Sequence, residues 1–294
     1  MFRIFSIFFI LTLSICFSAV PSFAAINGGT AEYSRSYVVE KVTDNVFAAI
    51  AQPGGKAASN AMIIITGTQA ILVGAHFVPD AINELMEEMG KISSAPLTKV
   101  ILTHHHEDYN YLDYDFPPSV EIITSWQTWL TLKAASRELK NPVTFFDSSL
   151  TMRYGKTVIV ATNLGRGHTE GDVIVYLPEE KVLFTSDLFF NGVIGYMGDG
   201  SFREWAMSLD ALQGLGAKYV IPGLGKVTGT VEIGKFREFF TDFTTEVLRF
   251  LEKKKTLEQT KKDFSLPKYE SMPGYKEFFN QNIERAYKQL KEQN

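Results

Sequence analysis

Two blocks of short apolar runs, each closed by turn residues, constrain this chain more than any other feature in it. In the first block, runs at 37–42 and 45–51 flank Thr43-Asp44, and runs at 61–66 and 69–73 flank Gly67-Thr68. Both pairs read as hairpins. Short buried strands are expected at 100–103 and 119–124. The second block has β-like runs at 156–161, 173–177 and 181–185, with a hairpin turning at Pro178-Glu179-Glu180, and a last buried strand at 219–221. Helical spacing marks 79–89 through Ile82, Leu85, Met86 and Met89. It also marks 126–139, where Trp129, Leu130 and Leu132 are the expected core. Trp126, Trp129 and Trp205 sit at helical core spacing and read as packing. Ser201-Phe202-Arg203-Glu204 is a capping-box pattern that opens a helix through Leu212, and from Val231 onward the pattern is helical. Strands in two runs, with helices between and after them, fit a two-layer sheet core covered by helices: an α/β or α+β sandwich.

The N-terminus reads as a segment removed on export. Arg3 gives a positive start, residues 4–20 are apolar, and Pro21-Ser22-Phe23-Ala24-Ala25 supplies small residues for cleavage after Ala24. A secretory signal over 1–24 and an exported, periplasmic or secreted protein follow as expectations, without stable membrane insertion after cleavage. Cys16 is the only cysteine, and cleavage removes it. The mature chain then has no disulfide, and its metal ligands are limited to His, Asp and Glu. About 270 of the 294 residues remain, enough for one large domain. A fold domain is expected over 25–230, with a helical C-terminal extension over 231–294 packed on it. That extension covers the pocket or forms a dimer contact; the sequence leaves both open, and with them the oligomeric state. A formal net charge of −4 without a long basic stripe speaks against a nucleic-acid partner. Lys253-Lys254-Lys255 and the Glu/Lys-rich end read as a solvated helix face.

The chain has five histidines, and His104, His105 and His106 are consecutive. They follow the apolar run Val100-Ile101-Leu102-Thr103, and loops leaving buried strands are where α/β folds build sites. In extended chain, residues two apart point the same way. His104 and His106 can therefore aim at one point while His105 points elsewhere, and Asp108 continues the parity with a carboxylate. Two imidazoles and a carboxylate make a compact start for a Zn²⁺ or Fe²⁺ site. Further ligands must come from remote segments. His168 lies in a glycine-rich turn, Gly165 to Gly171, and Asp187 lies at the end of the apolar strand Val182-Leu183-Phe184-Thr185. His76 reads as a structural histidine. The glycine-rich stretch 191–201, with Tyr196 and Met197, reads either as a rim of the substrate pocket or as a plain loop.

Thr103-His104-His105-His106-Glu107-Asp108 resembles the motif of the metallo-β-lactamase superfamily. Gly167-His168-Thr169, Phe184-Thr185-Ser186-Asp187 and Ser59-Asn60-Ala61 are similar to other segments of that family, in the same order, over roughly 37–230. The resemblance implies an αββα sandwich. It implies that His104, His106 and His168 form a first metal site, that Asp108 is a second-site ligand, and that Asp187 bridges. Two positions depart from the family pattern. Tyr109 stands where a histidine usually follows the Asp, and Leu224 stands in Pro222-Gly223-Leu224-Gly225 where the family has another. Gly74 also replaces a frequent Asp. A complete binuclear centre is therefore not implied, and the expectation is one Zn²⁺ or two.

On this reading the protein is a zinc-dependent hydrolase. It uses a metal-activated water on a small ester, thioester or amide substrate, a lactam included. Asp108 is the candidate general base, and Tyr109 the candidate hydrogen-bond donor to a developing oxyanion. Two alternatives use the same residues. In one, His104, His168 and Asp187 hold a single Fe²⁺ in a persulfide dioxygenase-like enzyme. In the other, the chain is a binding or accessory protein on a decayed enzyme scaffold.

Overall fold

The structure, a computed structural model, describes residues 35–106, 112–135 and 138–292. The expected signal segment, and Asp108 and Tyr109, lie outside the described residues. Within them, apolar side chains alternate along the strands so that each sheet is greasy on both faces. In β3 (Ala61–Ile65), β4 (Ala70–Gly74) and β5 (Leu97–Leu102), the residues Ala61, Ile63, Leu72, Val100 and Leu102 face one apolar cluster. Their neighbours Met62, Ile64, Ile71, Val73 and Ile101 face another. Period-two side chains buried on both sides require a layer on each side.

The layers follow directly. One sheet has the order β1-β2-β3-β4-β5-β6-β7, with β1 (Tyr37–Lys41), β2 (Val46–Ala51), β6 (Glu121–Ser125) and β7 (Val143–Phe146). The other runs β12-β11-β10-β9-β8, from β8 (Ser149–Tyr154), β9 (Thr157–Asn163), β10 (Val173–Leu177) and β11 (Val182–Phe190) to β12 (Tyr219–Leu224). Their inner faces meet through Met62, Ile101, Val175 and Phe184. On the outside of the first sheet lies α1 (Pro79–Ile92), which buries Ala81, Ile82, Leu85 and Met89, together with Leu132 of α2 (Trp126–Ala134). On the outside of the second lie α3 (Phe202–Gly214) and α4 (Thr230–Glu252), packed through Trp205, Phe236 and Phe240. Beyond them, α5 (Leu257–Asp263) and α6 (Tyr275–Glu292) join the same cluster through Phe264, Phe278, Ile283 and Ala286. The result is the four-layer αββα sandwich. Each fully buried Leu, Ile or Phe in these clusters stabilises it by about 1.5–3 kcal/mol. Among the described residues no helix is long and apolar enough to cross a membrane.

Some local expectations are corrected. Helix α2 ends at Ala134 rather than reaching 139. It is apolar around most of its circumference, so spacing did not say which residues face inward. Leu132 is buried, while Leu130 and Trp126 are exposed at 47% and 42%. Trp205 is fully buried, as packing requires. Ser201 Oγ accepts the Glu204 N–H at 3.3 Å, one half of the expected box. A complete box opens α5 instead, between Thr256 and Gln259. Strands β7 and β8 were not anticipated; each pairs on one side only, at a sheet edge. In β8 only every second side chain is even partly buried.

Candidate metal centre

The site forms where the two sheets meet, at the C-terminal ends of strands β5, β11 and β12. The β4–β5, β5–β6 and β11–β12 pairs are parallel, so their carbonyl ends open together into one crevice. Hydrogen bonds lace the two sheets shut around it. Thr103 Oγ1 and Ser186 Oγ are 2.8 Å apart. Val173 N donates to Thr103 O at 2.8 Å and Asn60 N to Gly223 O at 2.7 Å. Asn60 Nδ2 also holds the Pro222 and Gly225 carbonyls, at 2.9 and 2.8 Å.

Three imidazoles converge in this crevice. The rings of His104, His106 and His168 are buried, with centroids 5.4, 5.1 and 4.8 Å apart and planes nearly perpendicular. One nitrogen from each lies within 4.8 Å of the others. His105 is buried but stays outside the group, as the parity of an extended chain dictates. Two of the rings are oriented from behind. His104 Nδ1 shares a 3.1 Å hydrogen bond with Ser186 Oγ, and His106 Nδ1 donates to Asp199 Oδ2 at 2.8 Å. Their Nε2 atoms are thereby turned inward, where His106 Nε2 lies 2.9 Å from His168 Nε2. His168 Nδ1 is buried without a hydrogen-bond partner. That residue is positioned through its backbone instead: its carbonyl accepts the N–H groups of Asp199 and Gly200 at 2.8 and 3.0 Å.

Asp187 faces the three rings. Its Oδ2 is 3.8 Å from His104 Nε2 and 3.6 Å from His168 Nε2, while Oδ1 accepts Ser59 Oγ–H at 2.8 Å. Two backbone features bring it there. Ser186 adopts φ 50°, a left-handed conformation that non-glycine residues rarely hold. It sits at irregularities in the β11–β12 register that re-aim the next side chain. Gly223 of β12 passes so close that a β-carbon there would lie 2.2 Å from Asp187 Oδ1, so only glycine fits. Leu224, at the second position departing from the family pattern, packs in the outer apolar cluster and offers no ligand.

The electrostatics suit a cation. Burial, and then the neighbouring imidazoles, hold the pKa of His104 and His168 well below the ordinary value, so both are neutral at pH 7 with lone pairs available. Burial pushes Asp187 up to about 6, against the Ser59 hydrogen bond that lowers it. Three buried imidazole nitrogens and a desolvated carboxylate oxygen, with two of the rings oriented from outside, are a donor set that fits zinc or another divalent transition metal. His76 stands nearby as a structural residue: its Nδ1 accepts the Ala58 N–H at 3.1 Å. Burial and the proximity of His106 lower its pKa to about 4.

The loop carrying His168 folds on itself. Asp172 accepts the Gly167 and Thr169 N–H groups at 2.9 and 3.0 Å and the Thr169 hydroxyl at 2.7 Å. Ser59, Ser186 and Asp199 were not anticipated as site residues. In the sequence the Ser59-Asn60 pair reads only as a family-like segment. Asp199 had a signal, a carboxylate between two glycines in a stretch close after Asp187, but nothing tied it to His106, 93 residues away.

Comparison with known proteins agrees with this geometry. A family model described as the metallo-beta-lactamase superfamily matches residues 126–224. A "Metallo-beta-lactamase type 2" of Bacteroides fragilis is 29% identical over 207 residues, spanning 68% of this chain and 82% of its own. One from Bacillus sp. (strain 170) is 26% identical over 175 residues, 58% of this chain and 67% of its own. Among solved structures, a metallo-beta-lactamase from Pontibacter korlensis superposes with a TM-score of 0.61 at 23% identity. The match covers 99% of that chain and 70% of this one.

Proposed function

Since the chain belongs to the metallo-β-lactamase superfamily, we propose that it is an exported, zinc-dependent hydrolase of a small ester, thioester or amide. The observation that carries this reading is the inward convergence of His104, His106 and His168 on the free oxygen of Asp187. A zinc ion held there supplies Lewis acidity and a nucleophile at neutral pH by acidifying water. The chain's own residues supply the rest. Asp199, as an acceptor, favours the His106 tautomer whose Nε2 is the ligand, and Ser186 orients the His104 ring. Ser59 occupies Asp187 Oδ1, so Oδ2 is the oxygen left to accept a hydrogen bond and orient a water. The general-base role of Asp108 and the oxyanion role of Tyr109 belong to this proposal on the strength of their sequence positions alone. A lactam amide belongs in the substrate panel because the relatives are named as metallo-beta-lactamases.

The test is metal quantification on protein purified without chelator, paired with an ester, thioester and lactam panel. Close to one zinc per chain is expected, with hydrolysis of one substrate class that is lost in His168→Ala. One Fe²⁺ per chain with oxygen uptake on a persulfide, or metal content and every activity unchanged in His168→Ala, would overturn the proposal.

A further inference from the structure

Helix α6 lies beyond the family match, which ends at residue 224, yet its polar side chains reach the metal centre's outer wall. Asn282, Arg285 and Gln289 are spaced three and four apart, so they form one stripe along the helix. All three grip the loop over 195–201. Asn282 Oδ1 accepts the Met197 N–H at 2.8 Å while its Nδ2 donates to Gly195 O at 3.0 Å. Gln289 does the same at the loop's other end, accepting the Phe202 N–H at 2.7 Å and donating to Gly200 O at 2.6 Å. Between them Arg285 donates to Gly198 O at 3.1 Å and Gly200 O at 2.8 Å, and also to Asp199 O. The guanidinium thus serves three successive carbonyls of the loop, those of Gly198, Asp199 and Gly200.

The loop they hold is the one that touches two of the three imidazoles. Asp199 accepts from His106 Nδ1 at 2.8 Å and takes the Tyr196 hydroxyl on its other oxygen at 2.6 Å. The Asp199 and Gly200 N–H groups carry the His168 carbonyl. The approach is so tight that a β-carbon on Gly198 would lie 1.8 Å from that carbonyl oxygen. A ligand histidine that donates its far N–H to a carboxylate gains basicity and a fixed ring orientation, and removing such a carboxylate typically costs about 10- to 100-fold in metal affinity.

We propose that α6 is a working part of the metal centre: through Asn282, Arg285 and Gln289 it sets Asp199, and Asp199 positions His106 for the metal. Asp199 and Arg285 are positioning residues. The inference rests on the metal-centre reading above and deepens it, because it makes a C-terminal helix outside the family match a determinant of affinity at the site.

The experiment is zinc competition against a chromophoric chelator on the full chain, for wild type, Asp199→Ala, Asp199→Asn, Arg285→Met, the double variant Asp199→Ala/Arg285→Met, and Lys288→Met as a control on the exposed face of the same helix. Asp199→Ala is expected to weaken zinc by about 10- to 100-fold. Asp199→Asn, which keeps an acceptor oxygen, is expected to weaken it less, and Arg285→Met by about tenfold, with Lys288→Met unchanged. The double variant should be no weaker than Asp199→Ala, since both act along one line. Circular dichroism of each metal-free variant identifies any that fails to fold, and Asp199→Asn then carries the comparison. A second readout needs no metal: the downfield imidazole N–H proton of His106, identified by its loss in His106→Gln. It should be present in wild type, lost in Asp199→Ala and displaced in Arg285→Met. If wild type binds no zinc, the metal-centre reading falls, and this proton still decides the positioning claim. Folded Asp199→Ala with wild-type zinc affinity and an unmoved His106 proton would overturn the inference, as would losses in the two single variants that add in the double.

Discussion

The loop over 165–172 and the loop over 195–201 both lean on the metal centre, and they are held in opposite ways. The first is tied mainly from within, where Asp172 gathers the N–H groups of Gly167 and Thr169 and the Thr169 hydroxyl, with outside bonds to its Gly167, His168 and Gly171 carbonyls. The second is tied from outside, by three side chains of α6 more than 80 residues further along the chain. The first presents an imidazole whose far nitrogen has no partner; the second presents the carboxylate that orients an imidazole from elsewhere. A self-tied loop carries its geometry in its own few residues. An externally tied loop carries it in the packing of the whole outer layer, so its precision depends on α6 being docked.

Variants that break this contrast fall in a clear order. The largest effect is expected at the seam between the loops. In Gly198→Ala the new β-carbon meets the His168 carbonyl oxygen at 1.8 Å, and φ is +63°. The backbone of one loop must move, at a cost of about 4 kcal/mol from clash and strain together. Zinc binding should fall by more than about tenfold. Urea denaturation and chelator competition check both, and a variant with native stability would show that the loops do not share a wall. Next comes Asp172→Ala, which leaves three donors in a buried turn without their acceptor. A loss of about 2–3 kcal/mol is expected, with the structural damage confined to the self-tied loop, so the Asp199–His106 hydrogen bond should survive by proton NMR. Tyr196→Phe is smaller. It removes the 2.6 Å bond to Asp199 Oδ1 on a partly exposed residue, and is expected to cost about 0.5–1 kcal/mol and a few-fold in zinc affinity. An unchanged affinity would mean that the grip of α6 alone suffices to hold the carboxylate's loop.

The same contrast explains what could be read from the sequence. His104 and His106 were legible because period-two geometry at the end of an apolar run is local, and it excluded His105 for the same reason. The two-sheet core was legible because β3, β4, β5, β10 and β11 alternate into two apolar clusters each. Strand β8 was missed because an edge strand half-buries only every second residue. Leu130 was misplaced because α2 offers apolar residues on more than one face. Asp199 and Arg285 escaped because no spacing rule connects residue 106 to 199 or 199 to 285. The Asn282, Arg285 and Gln289 stripe looks like an ordinary solvated helix face until the loop it grips is in view.

The finest test uses the two carboxylates, whose environments push them in opposite directions. Burial raises Asp172 above its ordinary 3.8 in spite of the hydrogen bonds that lower it. Burial also lifts Asp199, but the bonds from His106 and Tyr196 and the charge of Arg285 outweigh it and leave the group below 3.8. The charged form of Asp172 therefore costs stability at neutral pH, and the cost is relieved as pH falls through its raised pKa toward 3.8. The contribution of Asp199 has the other sign. It is present in full above 3.8 and is lost as pH falls below it through the depressed value. In chelator-treated protein, the stability gap between wild type and Asp172→Asn should widen on acidification above 3.8. The gap between wild type and Asp199→Asn should narrow below it, by under about 1 kcal/mol because that carboxylate is half-exposed and screened. Urea midpoints measured stepwise from pH 7 to 3 read both gaps, and gaps that move the same way would mean that the two loops hold their carboxylates by the same balance of burial and bonding after all.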